Sequence, residues 1–376
     1  MLLLRADTAP PANGASDIVL HFTPNWFAAS MGTGILAAAL GQFPGTPVVH
    51  AAGLVLHLVN IALFLLFSVL YGLKWLCHTR LAARIFEHPV QSMFLGTIPM
   101  ALATIVNGTL IFGSSLVGEE IAAAVATRLW LVDAVLAVAI GSGVPFLMFT
   151  RQSHAMADMS AVWLLPVVAA EVAAASGLLL LPFAGDGPAG LGILAASLAL
   201  WAFSVPLALS VLVILFLRMA LHKLPPAAMA ATSWLALGPI GTGALGLALL
   251  ALNGAPVLAA NGLEAIAPAV TGAATLGALM LWGYGLWWLA IALLVTLRQI
   301  GQGLPFNLGW WAYTFPLGVY ALATLKIGAL LPLAFFTVAG TVMVGLLAVI
   351  WLLVTARTFA GAIRGRLFSD PCITSG

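Results

Sequence analysis

The stretch from Phe22 to Leu73 contains no Asp, Glu, Lys or Arg, and its 52 residues are enough to cross a bilayer twice. Its one break is the turn-forming segment 41–47, which is rich in Gly and Pro. The rest of the chain has the same character, since 63% of the 376 residues are hydrophobic and only 6% are charged. A soluble domain cannot cover that much apolar surface, so the sequence predicts an all-α polytopic membrane protein.

Charged or Pro/Gly-rich breaks divide the chain into ten predicted transmembrane helices. Their predicted ranges are 22–41, 48–75, 92–113, 122–149, 161–182, 190–218, 232–253, 265–297, 310–331 and 334–358. Residues 22–358 would form one transport domain between an N-terminal tail, 1–21, and a C-terminal tail, 359–376. A formal net charge of +2 gives no basic face for nucleic acid, and the chain offers no soluble domain to bind a nucleotide.

The distribution of basic residues predicts the orientation. Eleven of the 13 Lys and Arg residues fall in the tails or in the loops that follow even-numbered helices. The other side carries Arg128, and Lys326 lies inside helix 9. By the positive-inside rule both tails are cytoplasmic, which requires an even number of crossings.

Each odd-numbered helix carries a proline in its first half, usually followed by small residues. Proline removes a backbone donor and can kink a helix, and in lipid the freed carbonyl groups must face protein or water. This pattern favours five helical hairpins in which the odd helices line a central pore and the even helices lie outside. Proline and glycine are also common in membrane helices in general, which is the structural alternative. The five prolines are Pro24, Pro99, Pro166, Pro239 and Pro316.

Four ionisable residues lie at membrane depth: His57, Asp133, Glu171 and Lys326. Each charge there costs about 2.5–3.5 kcal/mol on insertion scales, so such residues are functional candidates. A polar contact between packed helices is the alternative. For His57 this structural contact is the favoured explanation, and for Asp133 it explains the residue as well as a functional role does. If Glu171 and Lys326 face one cavity, the lysine can attract an anion and the glutamate can carry a proton.

An enzyme is a competing hypothesis with little support. It would need Glu171, Asp133 and His57 to converge in one cavity. The sequence has no metalloprotease, serine-hydrolase or phosphate-binding motif. We therefore expect no enzymatic activity, no metal and no cofactor.

Two strings resemble those of a known family: FTPNWFAASMGTGI, which begins at Phe22, and NLGWWAYTFPLGV, which begins at Asn307. They are similar to the tellurite-resistance/dicarboxylate transporter family, which includes yeast malate transporters, fungal sulfite exporters and plant slow anion channels. The match covers roughly residues 20–360, and between the two strings it rests on the layout of the helices.

The resemblance implies a homotrimer in which the five odd helices of each protomer form a pore. It also implies a phenylalanine that closes the pore, and the matching position is Phe315. The residues agree, because Phe315 immediately precedes the helix 9 proline, and an aromatic ring in a narrow apolar pore can gate by dewetting. In addition to the five prolines, Glu171 and Lys326, the candidate pore-lining residues are Gly32, Thr33, Gly34 and Thr314.

The predicted function is transport of small anions, such as malate and other C4-dicarboxylates or sulfite, across the inner (plasma) membrane. Glu171 would repel a permeant anion unless it is protonated or paired, which favours a proton-linked transporter. The alternative within the same fold is a passive channel for chloride or nitrate.

Overall fold

In the computed structural model of the protein, residues 14–185 and 187–374 are described, and this part of the chain is almost wholly helical, without β-strands. Ten long helices coincide with the ten predicted segments. They are α1 (Phe27–Leu40), α2 (Pro47–Cys77), α3 (Thr97–Val117), α4 (Glu119–Thr150), α5 (Leu164–Leu180), α6 (Pro188–His222), α7 (Leu237–Ala260), α8 (Ala267–Ile300), α9 (Phe315–Leu330) and α10 (Ala334–Ile363).

Nine segments of the described chain are long and apolar enough to cross a bilayer. The exception is α1, which has 14 residues after a short 3₁₀ turn at Pro24–Trp26. At 1.5 Å per residue α1 is about 21 Å long, less than the roughly 30 Å hydrocarbon core. The all-α membrane architecture is therefore confirmed, whereas the count of ten crossings stays a prediction.

The helices form two concentric layers. Each odd helix contacts the next odd helix, and α9 contacts α1, so α1, α3, α5, α7 and α9 close an inner ring. Each even helix packs on its hairpin partner and on the following odd helix. Burial agrees with this arrangement: in the most apolar windows 61–94% of the residues of α3, α5, α7 and α9 are buried, against 22–33% for the even helices.

Each inner helix begins with a 3₁₀ segment at the same end of the molecule. These segments are Pro24–Trp26, Gln91–Gly96, Ala161–Trp163, Ala227–Ala236 and Leu308–Tyr313. Each contacts the next and the last contacts the first, so they form a second closed ring, which we call the 3₁₀ ring. It lies at the end that the positive-inside rule predicts to be cytoplasmic.

The five prolines singled out in the sequence lie in or just after the 3₁₀ ring and not in the helix interiors, where a kink would free carbonyl groups. Pro256, near the C-terminal end of α7, is the interior proline of the described inner helices. Pro99, Pro166 and Pro239 are each the third residue of their α-helix and Pro316 is the second, while Pro24 opens its 3₁₀ turn. Proline is tolerated in a first turn because the early N–H groups have no α-helical acceptor. These prolines therefore fix the change from 3₁₀ to α geometry.

Hydrogen bonds from the outer layer hold the inner ring. The indole N–H groups of Trp130, Trp201, Trp282 and Trp351 each donate to the next inner helix, at donor–acceptor distances of 2.8–3.1 Å. In the first hairpin the Asn60 amide donates to Thr104 over 2.9 Å and plays the same part. Each of the five junctions thus has one polar bond from outer to inner helix.

The end of the chain docks on the first hairpin. Asp370 forms a buried ion pair with Lys74 of α2 at 2.5 Å, and the Lys74 ammonium also donates to the Phe22 carbonyl over 2.8 Å. Phe368 stacks on Trp26 of the 3₁₀ ring, with centroids 4.9 Å apart. Burial, reinforced by Asp370, raises the pKa of the Cys372 thiol to about 12. The predicted C-terminal tail therefore includes a packed segment.

Lys74→Met should lower the free energy of unfolding by about 3–5 kcal/mol, because it leaves the Asp370 carboxylate buried without its cation. Thermal unfolding of the detergent-purified protein measures the change. Arg364→Met, an exposed position of the same tail, should leave the melting temperature nearly unchanged. Equal melting temperatures for the two variants would contradict the docking of the tail.

Candidate functional site

The predicted gate, Phe315, is the first residue of α9 and is only 2% exposed. Thr314 separates it from the 3₁₀ segment Leu308–Tyr313. The residues on either side of Phe315 face the two neighbouring inner helices. Thr314 lies against Gly32 of α1, and the side chain closest to a Cβ atom placed at Gly238 of α7 is that of Pro316, 4.0 Å away. Phe315 is therefore enclosed at the level where α1, α7 and α9 meet.

Glycines set how closely the inner helices approach. A side chain at Gly32 would collide with Thr314 and Trp311, and one at Gly34 would collide with Thr104 and Asn60. A Cβ atom at Gly241 of α7 would lie 3.0 Å from the backbone nitrogen of Tyr320 in α9. Small residues of this kind allow helix backbones to pack closely in membranes.

The two threonines predicted to line the pore have different surroundings. The Thr33 hydroxyl donates to the Ala29 carbonyl over 2.8 Å and accepts the Trp351 indole N–H over 3.0 Å. It is thus occupied by the outer layer. The Thr314 hydroxyl donates to the Trp311 carbonyl over 2.7 Å, next to Phe315.

The backbone groups of the prolines also join neighbouring inner helices. The Pro24 carbonyl accepts a hydrogen bond from the Thr97 hydroxyl over 2.9 Å, which links the entrances of α1 and α3. Gly96, just before α3, lies against the backbone of Leu165 and Pro166 at the entrance of α5. Pro99 and Pro239 are buried in the first turns of α3 and α7.

Glu171 and Asp133 are fully buried, and in the described part of the chain neither carboxyl has a hydrogen-bond partner. Glu171 is the eighth of the 17 residues of α5 and so lies near mid-membrane. Asp133 is on α4, one turn from Trp130, whose indole bonds to α5. A polar group buried in this way is costly, because nothing replaces its bonds to water.

Lys326 and His57 lie apart from these carboxyls. Lys326 is partly exposed and lies near the C-terminal end of α9, away from Phe315. His57 of α2 packs against Gly108 and Phe112 of α3, with its ring centroid 5.8 Å from that of Phe112. Among the described residues no hydrogen bond or ion pair joins His57 to Asp133 or Glu171.

The electrostatic character of the entrance follows from the direction of the inner helices. All five begin at the 3₁₀ ring, so the positive ends of their macrodipoles point to the same side of the membrane. Arg357 adds a cation there, because its guanidinium lies 5.4 Å from the ring centroid of Trp310. Such an entrance attracts anions.

The sequence did not predict the residues of the outer helices that form hydrogen bonds with the inner helices near this site. Trp351 bonds to Thr33 from α10, and Asn60 joins α1 to α3 through Ser30 and Thr104. One signal was available: each of the last four even helices carries a tryptophan near its middle, and an indole N–H in lipid needs an acceptor.

Comparison with known proteins gives consistent matches. The profile of the family described as voltage-dependent anion channel matches residues 21–359. The sulfite efflux pump of Trichophyton rubrum is 38% identical over 360 residues, covering 93% of this chain and 93% of that protein. An uncharacterized transporter of Methanocaldococcus jannaschii is 28% identical, covering 94% and 98%. The malic acid transport protein of Schizosaccharomyces pombe is 23% identical, covering 98% and 84%.

Gly32→Ala should destabilise the protein by about 1–3 kcal/mol, because the added methyl group has to displace Thr314 or Trp311. The matched control is Gly345→Ala on α10, where a methyl group meets no atom within 4 Å and alanine is the better helix former. Thermal unfolding of both variants provides the measurement. A control that loses as much stability as Gly32→Ala would contradict this close approach of α1 and α9.

Proposed function

The chain belongs to the voltage-dependent anion channel family, the group of tellurite-resistance/dicarboxylate transporters, and on that premise we propose that it exports sulfite through a passage inside the ring of odd helices. It is a multi-pass membrane protein of an anion-transporting family, not of an enzyme family. Phe315 is the gate of the proposed passage. The observation that carries the proposal is the closed inner ring with Phe315 buried at its entrance.

A buried aromatic ring suits this gating role for a physical reason. An anion that meets an apolar constriction must give up its hydration, so a ring across a narrow passage stops flow until it turns aside. The close packing of Thr314 against Gly32 of α1 holds the backbone just before Phe315. The side chain can then change rotamer while the helix entrance stays in place.

Anion selectivity in this proposal comes from helix ends and needs no ring of arginines. The positive ends of five helix dipoles lie at the 3₁₀ ring, and each is equivalent to roughly half an elementary charge. Pro24, Pro99, Pro166 and Pro239 fix those entrances. Lys326 adds one positive charge toward the opposite end, where the negative ends of the same five dipoles lie, so the 3₁₀ ring is the side that favours an anion.

Sulfite is the preferred substrate because three relatives named as sulfite efflux pumps are 37–38% identical across 93% of this chain. Malate is the second candidate, since the malic acid transport protein covers 98% of the chain at 23% identity. A passive channel for chloride or nitrate is the alternative within the same family. We further propose a homotrimer in the inner (plasma) membrane with both tails cytoplasmic.

Phe315→Ala should raise sulfite flux into proteoliposomes by tenfold or more, because the variant lacks the ring that blocks the passage. Fluxes of sulfite, malate, chloride and nitrate are compared in parallel, and currents across planar bilayers distinguish a channel from a carrier. Phe112→Ala, another buried phenylalanine, should lose stability without a gain in flux.

The gate proposal fails if Phe315→Ala and the wild-type protein carry every anion at the same rate. The assignment of sulfite fails if only malate, or only chloride and nitrate, cross. These outcomes are separate, so the passage and the substrate are tested independently.

We propose that Glu171 carries a proton with the anion. It is the one acidic residue of the described inner helices, and its carboxyl has no partner. A charged carboxylate there would repel the permeant anion, whereas a protonated one would not. Uptake of a proton by Glu171 would therefore accompany entry of the anion.

Glu171→Gln should retain sulfite flux but abolish its acceleration by a pH gradient, because glutamine is neutral at every pH. A pH-sensitive dye inside the proteoliposomes reports proton movement at the same external pH for all variants, since sulfite itself takes up protons near neutrality. Glu119→Gln, exposed at the start of α4, should behave like the wild-type protein. An unchanged pH-gradient response in Glu171→Gln would refute the proton-carrying role.

A further inference from the structure

Two clefts beside the 3₁₀ ring occupy equivalent places in the first and third hairpins. The first-hairpin cleft holds about 210 Å³ of space, counting its opening to solvent, and is lined by Pro24, Lys74, Gln91 and Asp370, among others. The third-hairpin cleft holds about 390 Å³ when it is counted in the same way. It is lined by Ser160, Arg218, Thr232, Ser233 and Trp288 together with apolar side chains.

The helix register makes Lys74 and Arg218 equivalent. Lys74 follows Asn60 by 14 residues, and Arg218 follows Ser204 by 14 residues. Asn60 and Ser204 themselves correspond, because each bonds to the fourth residue of the inner helix in its own hairpin. The two cations also make the same kind of bond to the backbone that precedes that inner helix: Lys74 donates to the Phe22 carbonyl and Arg218 to the Ala157 carbonyl.

The two clefts differ in what neutralises the cation. In the first, the Asp370 carboxylate forms an ion pair with Lys74. In the third, no carboxylate of the described chain lies within ion-pair distance of Arg218, and the exposed Asp158 acts on it only from farther away. Arg218 nevertheless is only 5% exposed.

Two buried donors in the third-hairpin cleft have no acceptor in the described chain. They are the Arg218 Nε–H group and the indole N–H of Trp288, which is 2% exposed. Orphan donors beside an unpaired cation are costly in a protein interior. An anionic group in the cleft would offer acceptor oxygens to these donors and balance the charge of the guanidinium.

We propose that the third-hairpin cleft binds a phosphate group, which takes the place that the Asp370 carboxylate has in the first hairpin. The phosphate can come from solution or from the headgroup of an anionic lipid, because outer helices α6 and α8 supply part of the cleft wall. The site lies outside the inner ring and is independent of which anion is transported.

Trp288→Phe is the main test variant, because it removes one donor with little change of shape. Arg218→Gln removes the charge, but it also breaks the bond from Arg218 to the carbonyl of Lys223, which has a left-handed backbone with a φ of 65°. Trp201→Phe is the matched control: its indole donates to the Gly243 carbonyl, so this variant should lose stability whether or not phosphate is present.

The experiment measures thermal unfolding of the full-length protein in a neutral detergent. One arm titrates sodium phosphate against sodium chloride at equal ionic strength. The other arm adds dioleoylphosphatidylglycerol against dioleoylphosphatidylcholine. The wild-type melting temperature should rise with phosphate, with the anionic lipid, or with both, and the responding arm identifies the source.

Trp288→Phe should weaken the apparent affinity by roughly two- to tenfold, and Arg218→Gln by about tenfold or more, as expected for a neutral and a charged donor respectively. Trp201→Phe should have a lower melting temperature than the wild-type protein but the same apparent affinity for the probe. The proposal is overturned if neither probe stabilises the wild-type protein, or if Trp288→Phe responds with the wild-type affinity.

Discussion

The structure depends on the polar bonds from the outer helices to the inner ring. Lipid offers no partner to an N–H group or a hydroxyl, so each must find one inside the protein. Four indoles and the Asn60 amide meet that demand at the five junctions between layers. Because these donors come from outside the ring, the inner helices can consist largely of small and apolar residues without leaving the junctions unbonded.

A division of roles between the layers follows from this arrangement. The outer helices expose Leu, Val and Phe side chains and carry the four indoles that donate to the inner ring. The inner helices carry Gly32, Gly34 and Gly241 where neighbours approach closely. In the gating that we propose, one side chain at position 315 would suffice to close a passage between helices that pack this closely, without a mobile domain.

The sequence predicts the parts of this fold that depend on local patterns. The apolar run at 48–75 predicted a transmembrane helix, which is observed as Pro47–Cys77. The prolines of the odd-numbered segments predicted which helices form the inner layer. The ion pair of Lys74 with Asp370 could not be predicted, because the two residues are 296 positions apart and either could have been solvated. The contact of Thr33 with Trp351 could not be predicted either, since composition does not determine which face of a helix packs against which neighbour.

The internal repeat also bears on the two buried carboxyls. Asp133 follows Trp130 by three residues, as Ser204 follows Trp201, so it takes the place that Asn60 has in the first hairpin. Glu171 is the eighth residue of α5, as Thr104 is of α3, and Asn60 and Thr104 satisfy each other. The junction between the second and third hairpins thus has two acids where the junction between the first and second has a neutral, bonded pair. A neutral pair would be more stable than two buried acids, so we infer that the acids serve a function. Proton uptake is such a function, because a carboxyl group that takes up a proton becomes neutral and needs no counter-ion beside it.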